Sequence, residues 1–474
     1  MFYPYNPRSY RSSGSRSIAN LMDSGESVLM FGVLDGLDYE KILVLAKQLK
    51  TNKTVHKLVL NQNQVGDLGA EALGKSLERN RHLQELHLQH AGINSVGAYK
   101  LATALKSKHQ QLRSLVLSFN DIRDRGAEAI ARALPKNRTL ENLDLSFNVV
   151  GNDGAEALAE GLCANKTLRS LVLCFNRFGS RGMSSFGRAL KVNDTLGNLN
   201  IMGNRIRGNE LSIVALARAG LKDNRALREL HLSDHRVRAQ EGAMIVCQAV
   251  QGHANLRILE LANFADGDAA ARVLERALQT DTLRLTELSM CHTRLTNSGA
   301  AILANALRKN ARLTKLDIGT NDIGDKGCGV IAKALRTNGT LIELLLVRNK
   351  ISDIGAMELA SMLRENSVLE SLDLTRNAIG SQGSEALLAV FQEMGNETLT
   401  QLSLRYQEDQ GVTRKLFDFY LWLNKVRFKK MLRKETTWPA IVTRLHDKLS
   451  GLELFYQLIR SRPDVVMFAA PVQH

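Results

Sequence analysis

Apolar residues along this chain fall into two alternating rhythms. Short stretches alternate leucine with a second residue, as in Leu115-x-Leu117-x-x-Asn120, Leu143-x-Leu145-x-x-Asn148, Leu171-x-Leu173-x-x-Asn176 and Leu372-x-Leu374-x-x-Asn377. Alternation with period two predicts a strand with one buried face. Between these stretches lie runs such as Ala155 to Leu162, apolar at i, i+3, i+4 and i+7, which predict amphipathic helices. The Asn that ends each leucine phrase marks the period. Its position recurs at 63, 91, 120, 148, 176, 204, 235, 264, 293, 321, 349 and 377, mostly 28 or 29 residues apart, with one step of 31. Twelve units follow, with a thirteenth strand at Leu402 to Leu404, and Tyr39 to Lys53 reads as a helical half that starts the stack. A Gly commonly stands six residues after the marker, as at Gly69, Gly97, Gly126 and Gly154. The helices commonly end at an Asn, as at Asn137, Asn165 and Asn193. Asn tolerates the left-handed conformation, so the expectation is that it closes the helix in that geometry.

One strand and one helix cannot bury their own apolar faces, whereas stacked units share a core of leucine columns. Strands then form a parallel sheet and helices cover its back. Helices are about 10 Å wide and strands about 4.8 Å apart, so the stack bends with the sheet on the concave side. The marker Asn is expected to be buried and to bond backbone groups of adjoining turns. From Tyr39 to Tyr406 the chain resembles the ribonuclease-inhibitor-like class of leucine-rich repeats. That resemblance implies an α/β horseshoe solenoid, with a parallel sheet on the concave face and helices on the convex face. The domain expectation is a disordered tail over 1–27, a solenoid of about 12 to 13 repeats over 28–410, and a mainly helical cap over 411–474. Departures cluster mid-chain. Markers 235, 264 and 293 are His235, Phe264 and Thr293, and the Gly is replaced at Glu210 and Ala270 and slips to Gly242. This stretch reads either as tolerated drift or as a local change of curvature that shapes a binding site.

Composition narrows the function classes. No stretch of about 18 apolar residues exists, which argues against a spanning helix. The N-terminus lacks the apolar core of a secretory signal. Cys163, Cys174, Cys247, Cys291 and Cys328 are scattered without paired spacing, which suits reduced thiols in the cytoplasm or nucleus. The net charge is +15, and residues 411–474, with 12 Lys/Arg against 5 Asp/Glu, carry nearly half of it.

Motifs for chemistry fail on their position in the repeat. Gly69 to Ser76 fits the phosphate-loop pattern, yet it falls where helix is expected, and a helix interior has no free N–H groups for phosphates. N-x-T triplets at Asn52, Asn137, Asn165, Asn193, Asn338 and Asn396 all fall between helix and strand, so the repeat accounts for them better than glycosylation does. His87 and His231 lie on strands of separate repeats. The expectation is a chain that is not an enzyme, with no catalytic residue, no cofactor and no metal.

Binding is then the remaining class. Residues beside the strand leucines face the concave side. In the later repeats they include Glu229, Asp234, Glu260, Glu287, Asp317, Glu343 and Asp373, interspersed with Lys315, Arg348 and Arg376. This acidic set is either a solvated face or a site for a protein with a basic surface, and it would repel nucleic acid. Phe119, Phe147 and Phe175 precede three successive markers. They are either packed within the turn or an exposed row for a protein partner. The segment around Lys429 to Lys434 could meet an acidic membrane surface. Phrases from Tyr420 to Pro463 resemble the tail that follows such repeats in proteins of diatoms and related protists. The leading expectation is a non-catalytic interaction scaffold that binds a protein through the concave face. Two alternatives come from resemblance: Ran-type activators of small GTPases, and the ligand-reading repeats of NOD-like receptors. Nothing in the sequence names the partner or the oligomeric state.

Overall fold

The structure is a computed structural model that describes residues 22, 24–32, 37–107, 111–204, 211–233, 242–280, 282–393, 395–404 and 411–425. The chain divides into two compact units, Met1–Thr293 and Arg294–His474. In the first, three-residue strands pair in parallel and in chain order: Val28–Met30, Lys57–Val59, Glu85–His87, Ser114–Val116, Asn142–Asp144, Ser170–Val172, Asn198–Asn200, Glu229–His231, Ile258–Glu260 and Glu287–Ser289. In the second, Lys315–Asp317, Glu343–Leu345, Ser371–Asp373 and Gln401–Ser403 do the same. Helices such as Ser95–Leu105, Asn152–Ala164 and Asp353–Glu365 alternate with the strands. The central leucines of neighbouring strands pair in register, Leu86 with Leu115 and Leu115 with Leu143, and all three are buried. The strand Val28–Met30 has no leucine phrase, yet Leu29 and Phe31 are buried as the two leucines are elsewhere, and the carbonyl of Phe31 accepts from Asn63 Nδ2 at 3.1 Å.

Two ladders of asparagine hold the repeats together. In the first, a marker Asn reaches back one repeat. Asn176 Nδ2 donates to the carbonyls of Leu145 at 2.9 Å and Leu173 at 3.1 Å, and its Oδ1 accepts from the N–H of Asn148 and Val150 at 3.0 and 2.9 Å. Position 91 holds Ala91, and there the backbone substitutes: the N–H of Val65 donates to the carbonyl of Asn63 at 2.9 Å. In the second ladder, helix-end asparagines do the same on the other edge. Asn165 Nδ2 donates to the Leu134 carbonyl at 2.8 Å, and its Oδ1 accepts from Thr167 and Leu168 N–H at 2.9 and 2.7 Å. These buried groups would each cost roughly 1–3 kcal/mol if left unpaired.

The expectation of a left-handed helix-end Asn is overturned. Asn165, Asn193 and Asn366 are extended, with φ of −82°, −86° and −79°, because Asn is needed there for its amide. A left-handed residue recurs just before the described markers: Gln62, His90, Phe119, Phe147, Phe175, Gly203, Asn263, His292, Thr320, Arg348 and Arg376 all have positive φ, and Arg123, Val149 and Arg294 share it just after some markers. That twist lets their N–H groups continue the strand ladder into the turn, as Phe147 N–H does to the Cys174 carbonyl at 2.9 Å.

The recurrent Gly of each helix start has a packing reason. A Cβ on Gly97 would lie 2.5 Å from Asp67 Oδ1 and 2.8 Å from Ile93 Cγ2. The carboxylate needs that space, since Asp67 Oδ1 caps the next helix by accepting from the N–H of Asn94 and Gly97 at 2.8 and 2.9 Å. The irregular stretch departs in specific ways. The helix Leu211–Leu216 runs into a π-helical turn at Ala217–Leu221. Such a turn accommodates one extra residue, which takes up part of the longer step. At the helix-end position stands His253, buried. Its Nδ1 accepts from Leu256 N–H at 3.2 Å, in imitation of Asn224 Oδ1 and Leu227 at 2.8 Å.

At the C-terminal end of the described chain, helix Gly411–Lys425 packs on helix Ser381–Gln392, with the rings of Phe391 and Phe417 edge to face at 6.0 Å. Asn424 Nδ2 donates to the Leu399 carbonyl at 2.8 Å, so this helix uses the same device as the repeats. The basic run at Lys429 to Lys434, the helix expected over Leu452 to Ile459, the tail before Met22 and the markers' replacement His235 lie outside the described residues.

Candidate functional site

Most of the short strands present two side chains beside the buried leucine, and the turns that follow present more. In the first unit these line a groove of about 760 Å³ running from Lys57 to Met202. Its wall on the turn side includes Phe119 and Phe147 of the phenylalanine column. Phe119 and Phe147 stack with centroids 4.0 Å apart and planes 11° apart, and Phe147 and Phe175 at 4.5 Å and 17°. The stack ends at Gly203, where any Cβ would meet the Phe175 ring at 2.5 Å. The three rings pack on each other, and Phe119 and Phe147 also line the groove, with Phe119 40% exposed. Val116 and Val172 add apolar surface on the strands, and Asn61, Gln89, Asn142 and Asn200 add amides.

Charge in this groove is largely cancelled. Lys57 Nζ lies 2.7 Å from Glu85 Oε2, and the hydrogen bond to Lys57 holds the Glu85 carboxyl below its ordinary range. Burial, aided by Lys57, pushes the His87 pKa down, which leaves its imidazole neutral at pH 7. Burial raises the Asp144 pKa, against hydrogen bonds from Ser146 and Ser118. Burial also pushes the Cys174 thiol up to about 12, which makes it a poor nucleophile. The geometry suits contact rather than bond-making, with apolar rings and neutral hydrogen-bonding groups along a shallow channel.

The acidic residues expected to mark the site lie elsewhere on the strand faces. In the first unit, Glu229 and Glu260 flank His231. His231 Nδ1 is 2.7 Å from Glu260 Oε2 and its Nε2 is 3.9 Å from a Glu229 oxygen, which also accepts from Asn198 Nδ2 at 2.6 Å. Burial works against charge on His231, but the hydrogen bonds and charges of Glu229 and Glu260 outweigh it and push its pKa up to about 9. Glu287 is half-buried on the strand next to Glu260. In the second unit, Asp317 accepts from Gly319 N–H at 3.0 Å, Asp373 from Thr375 N–H at 2.9 Å, and Glu343 pairs with Lys315 at 2.9 Å. Asp234 lies outside the described residues. Glu229, Glu260, Asp317, Glu343 and Asp373 thus each have an internal partner, whereas the groove is lined by Phe119 and Phe147. Reading the earlier strands for amides as well as the later ones for acids would have found Asn142, Asn200 and His87. The signal was the same period-two alternation.

The phosphate-loop string lies inside helix Gly66–Leu77, with the Ser76 hydroxyl donating to the Ala46 carbonyl at 2.5 Å. Of the N-x-T asparagines, all but the half-buried Asn52 are buried, and each amide is engaged with a backbone carbonyl. Among the described residues no helix is long and apolar enough to cross a membrane.

The family model described as Leucine Rich repeat matches residues 51–74, 79–102, 108–131, 136–159, 164–187, 309–332 and 365–388. The matched segments bracket the irregular stretch. The chain is 36% identical over 91 residues to "NACHT, LRR and PYD domains-containing protein 3" of Bos taurus, covering 19% of this chain and 9% of that protein. It is 37% identical over 94 residues to "NACHT, LRR and PYD domains-containing protein 12" of Homo sapiens, covering 19% of this chain and 8% of that one. The likeness therefore spans less than a tenth of either relative. Among solved structures, an internalin of Listeria monocytogenes aligns with a TM-score of 0.38 at 15% identity, over 82% of this chain and 94% of that one. A chain of the mouse RP105/MD-1 complex aligns at 0.45 and 16%, over 77% and 57%. With its period, its stacked strand–helix units and the matched segments, the chain is a leucine-rich-repeat protein folded as an α/β solenoid.

Proposed function

We propose that this protein is a non-catalytic interaction scaffold that binds a protein partner on the strand face, and that the groove from Lys57 to Met202 is its principal contact. One observation carries the reading: a phenylalanine stack, with Phe119 and Phe147 in its lining, borders a channel whose ionisable groups are ion-paired, hydrogen-bonded within the protein or shifted toward their neutral forms. Such a surface gains from burying rings and from neutral hydrogen bonds, and it holds no charge that a partner must desolvate unpaired. The acids Glu229, Glu260, Glu287, Asp317, Glu343 and Asp373 serve, in this proposal, as secondary contacts for basic residues of the partner. The buried, protonated thiols of Cys174, Cys247 and Cys328 are consistent with a cytoplasmic or nuclear setting. The sequence likeness to proteins named for NACHT, LRR and PYD domains favours one second reading, in which the repeats read a ligand for a regulatory protein.

The test is quantitative binding of a partner isolated by affinity capture on the full chain. Phe147→Asp combined with Val116→Lys should weaken binding at least tenfold, or about 1.4 kcal/mol, while far-ultraviolet circular dichroism stays unchanged. Binding that survives in this folded variant but is lost on Glu287→Lys would move the contact to the acidic residues. A partner that hydrolyses GTP faster in the presence of the chain would replace the scaffold reading with the activator one.

A further inference from the structure

The loops that lead from helix to strand in the first unit form a basic edge, and we infer that it docks an acidic, extended segment of a protein. Arg81, Arg138 and Arg225 directly follow a helix-end Asn, and Arg169 and Arg228 directly precede a strand. All five are exposed. None makes an ion pair among the described residues, unlike Lys166, which pairs with Asp194 at 2.7 Å, and Arg113, which pairs with Glu141 at 3.4 Å. Between residues 50 and 228 the acids described in these loops are Glu78, Glu141, Asp194 and Asp223, and two of them are the partners just named.

Neither the fold nor the helices require this charge. The position after the helix-end Asn holds Ala311, Gly339, Ser367 and Glu397 in the second unit, where the same ladder forms. Basic residues in a last helical turn compensate the helix dipole, but these five arginines lie beyond that turn. They stand one repeat or a few repeats apart, so they form a row along the edge. An extended polypeptide rises about 3.3 Å per residue, and its alternate side chains share a side at about 6.6 Å. It can therefore lay a file of carboxylates along such a row.

The chemistry favours a carboxylate-bearing segment over other polyanions. The described helix-to-strand loops of the first unit contain no Phe, Tyr or Trp, and among their histidines His56 and His82 meet each other edge to face at 6.5 Å, so they offer little platform for a file of stacked bases. Val192 is the one large apolar residue exposed at this edge among the described residues, which leaves little to insert into a lipid surface. This edge is distinct from the phenylalanine groove, so either surface can fail without the other.

The experiment is fluorescence anisotropy of a labelled alternating Glu–Gly peptide titrated with the full chain at low and at physiological salt. Single-stranded oligonucleotide and phosphatidylserine vesicles of matched charge serve as competing probes. The inference expects peptide binding that weakens with salt and falls about tenfold or more in Arg81→Glu/Arg138→Glu/Arg169→Glu. Arg125→Glu/Arg177→Glu, which reverses exposed charges on the strand-to-helix side of the repeats, should leave it unchanged, and Arg81→Gln/Arg138→Gln/Arg169→Gln should give a smaller loss. No binding of the peptide, equal loss in both charge-reversed variants, or tighter binding of oligonucleotide or vesicles would each overturn it.

Discussion

Thr320 carries the strain that the repeat imposes on single residues. Its φ is +53°, in the region that β-branched residues rarely enter. The position demands it, because the N–H must turn toward the Val347 carbonyl. Asn adopts this conformation at lower cost, and Asn263 occupies the equivalent place with φ of +68°. Thr320→Asn should therefore raise stability by about 1 kcal/mol, read as the midpoint of urea denaturation. A lower midpoint would mean that the Thr side chain has a role the backbone does not reveal. The same position explains why part of the residue-scale pattern was legible and part was not. The marker Asn announced its buried bonds through its spacing. The left-handed residue before it is Gln, His, Phe, Gly, Asn, Thr or Arg in turn, so no residue type signalled it. The helix-end Asn was visible, but its role was misread, because Asn serves left-handed turns and amide ladders alike.

His253 shows how one substitution within an element couples the fold to pH. Burial, then Arg225, pushes its pKa down to about 4 from an ordinary 6.5. Its Nδ1 must stay unprotonated to accept from Leu256, and its Nε2 is buried without a partner among the described residues. As pH falls below 6.5 the unfolded state takes up the proton first, so stability drops between pH 6.5 and about 4 and levels off below. His231 acts in the opposite sense. Its raised pKa gives stability that is complete below pH 6.5 and is lost as pH rises through about 9. His253→Asn should restore the amide ladder, raise stability at pH 5 more than at pH 7.5, and flatten the acid limb of a stability–pH curve. An unchanged acid limb would place the titration elsewhere. At this scale the sequence was informative about regular elements, since Leu and Gly spacing placed strands and helices. It was silent about the strand Val28–Met30, whose Leu29 and Phe31 replace the leucine pair, and about the π turn, which depends on how a longer step is absorbed.

For the whole molecule, the repeat determines which surfaces are available and leaves their chemistry free to vary. Leucine, asparagine and glycine positions are spent on stacking. The strand residues, the turn before each marker and the helix-to-strand loops are not, and there the chain places a phenylalanine groove and a basic edge. The sequence pointed to the strand face and to the phenylalanines. It did not show which acids are engaged within the protein, because an unpaired carboxylate in a sequence looks the same as one bonded to His231 or to the Gly319 N–H. Pairing across repeats is a property of register, which only the stacked structure supplies.

The most direct test of partner binding on the strand face is site-specific photo-crosslinking in native lysate, with the reactive side chain at Val116 in the groove or at Tyr99, 56% exposed on helix Ser95–Leu105. The account predicts one dominant protein adduct from position 116 that is absent from position 99 and disappears when Phe147→Asp is added. The same adducts from both positions, or a dominant adduct from position 99 alone, would contradict it.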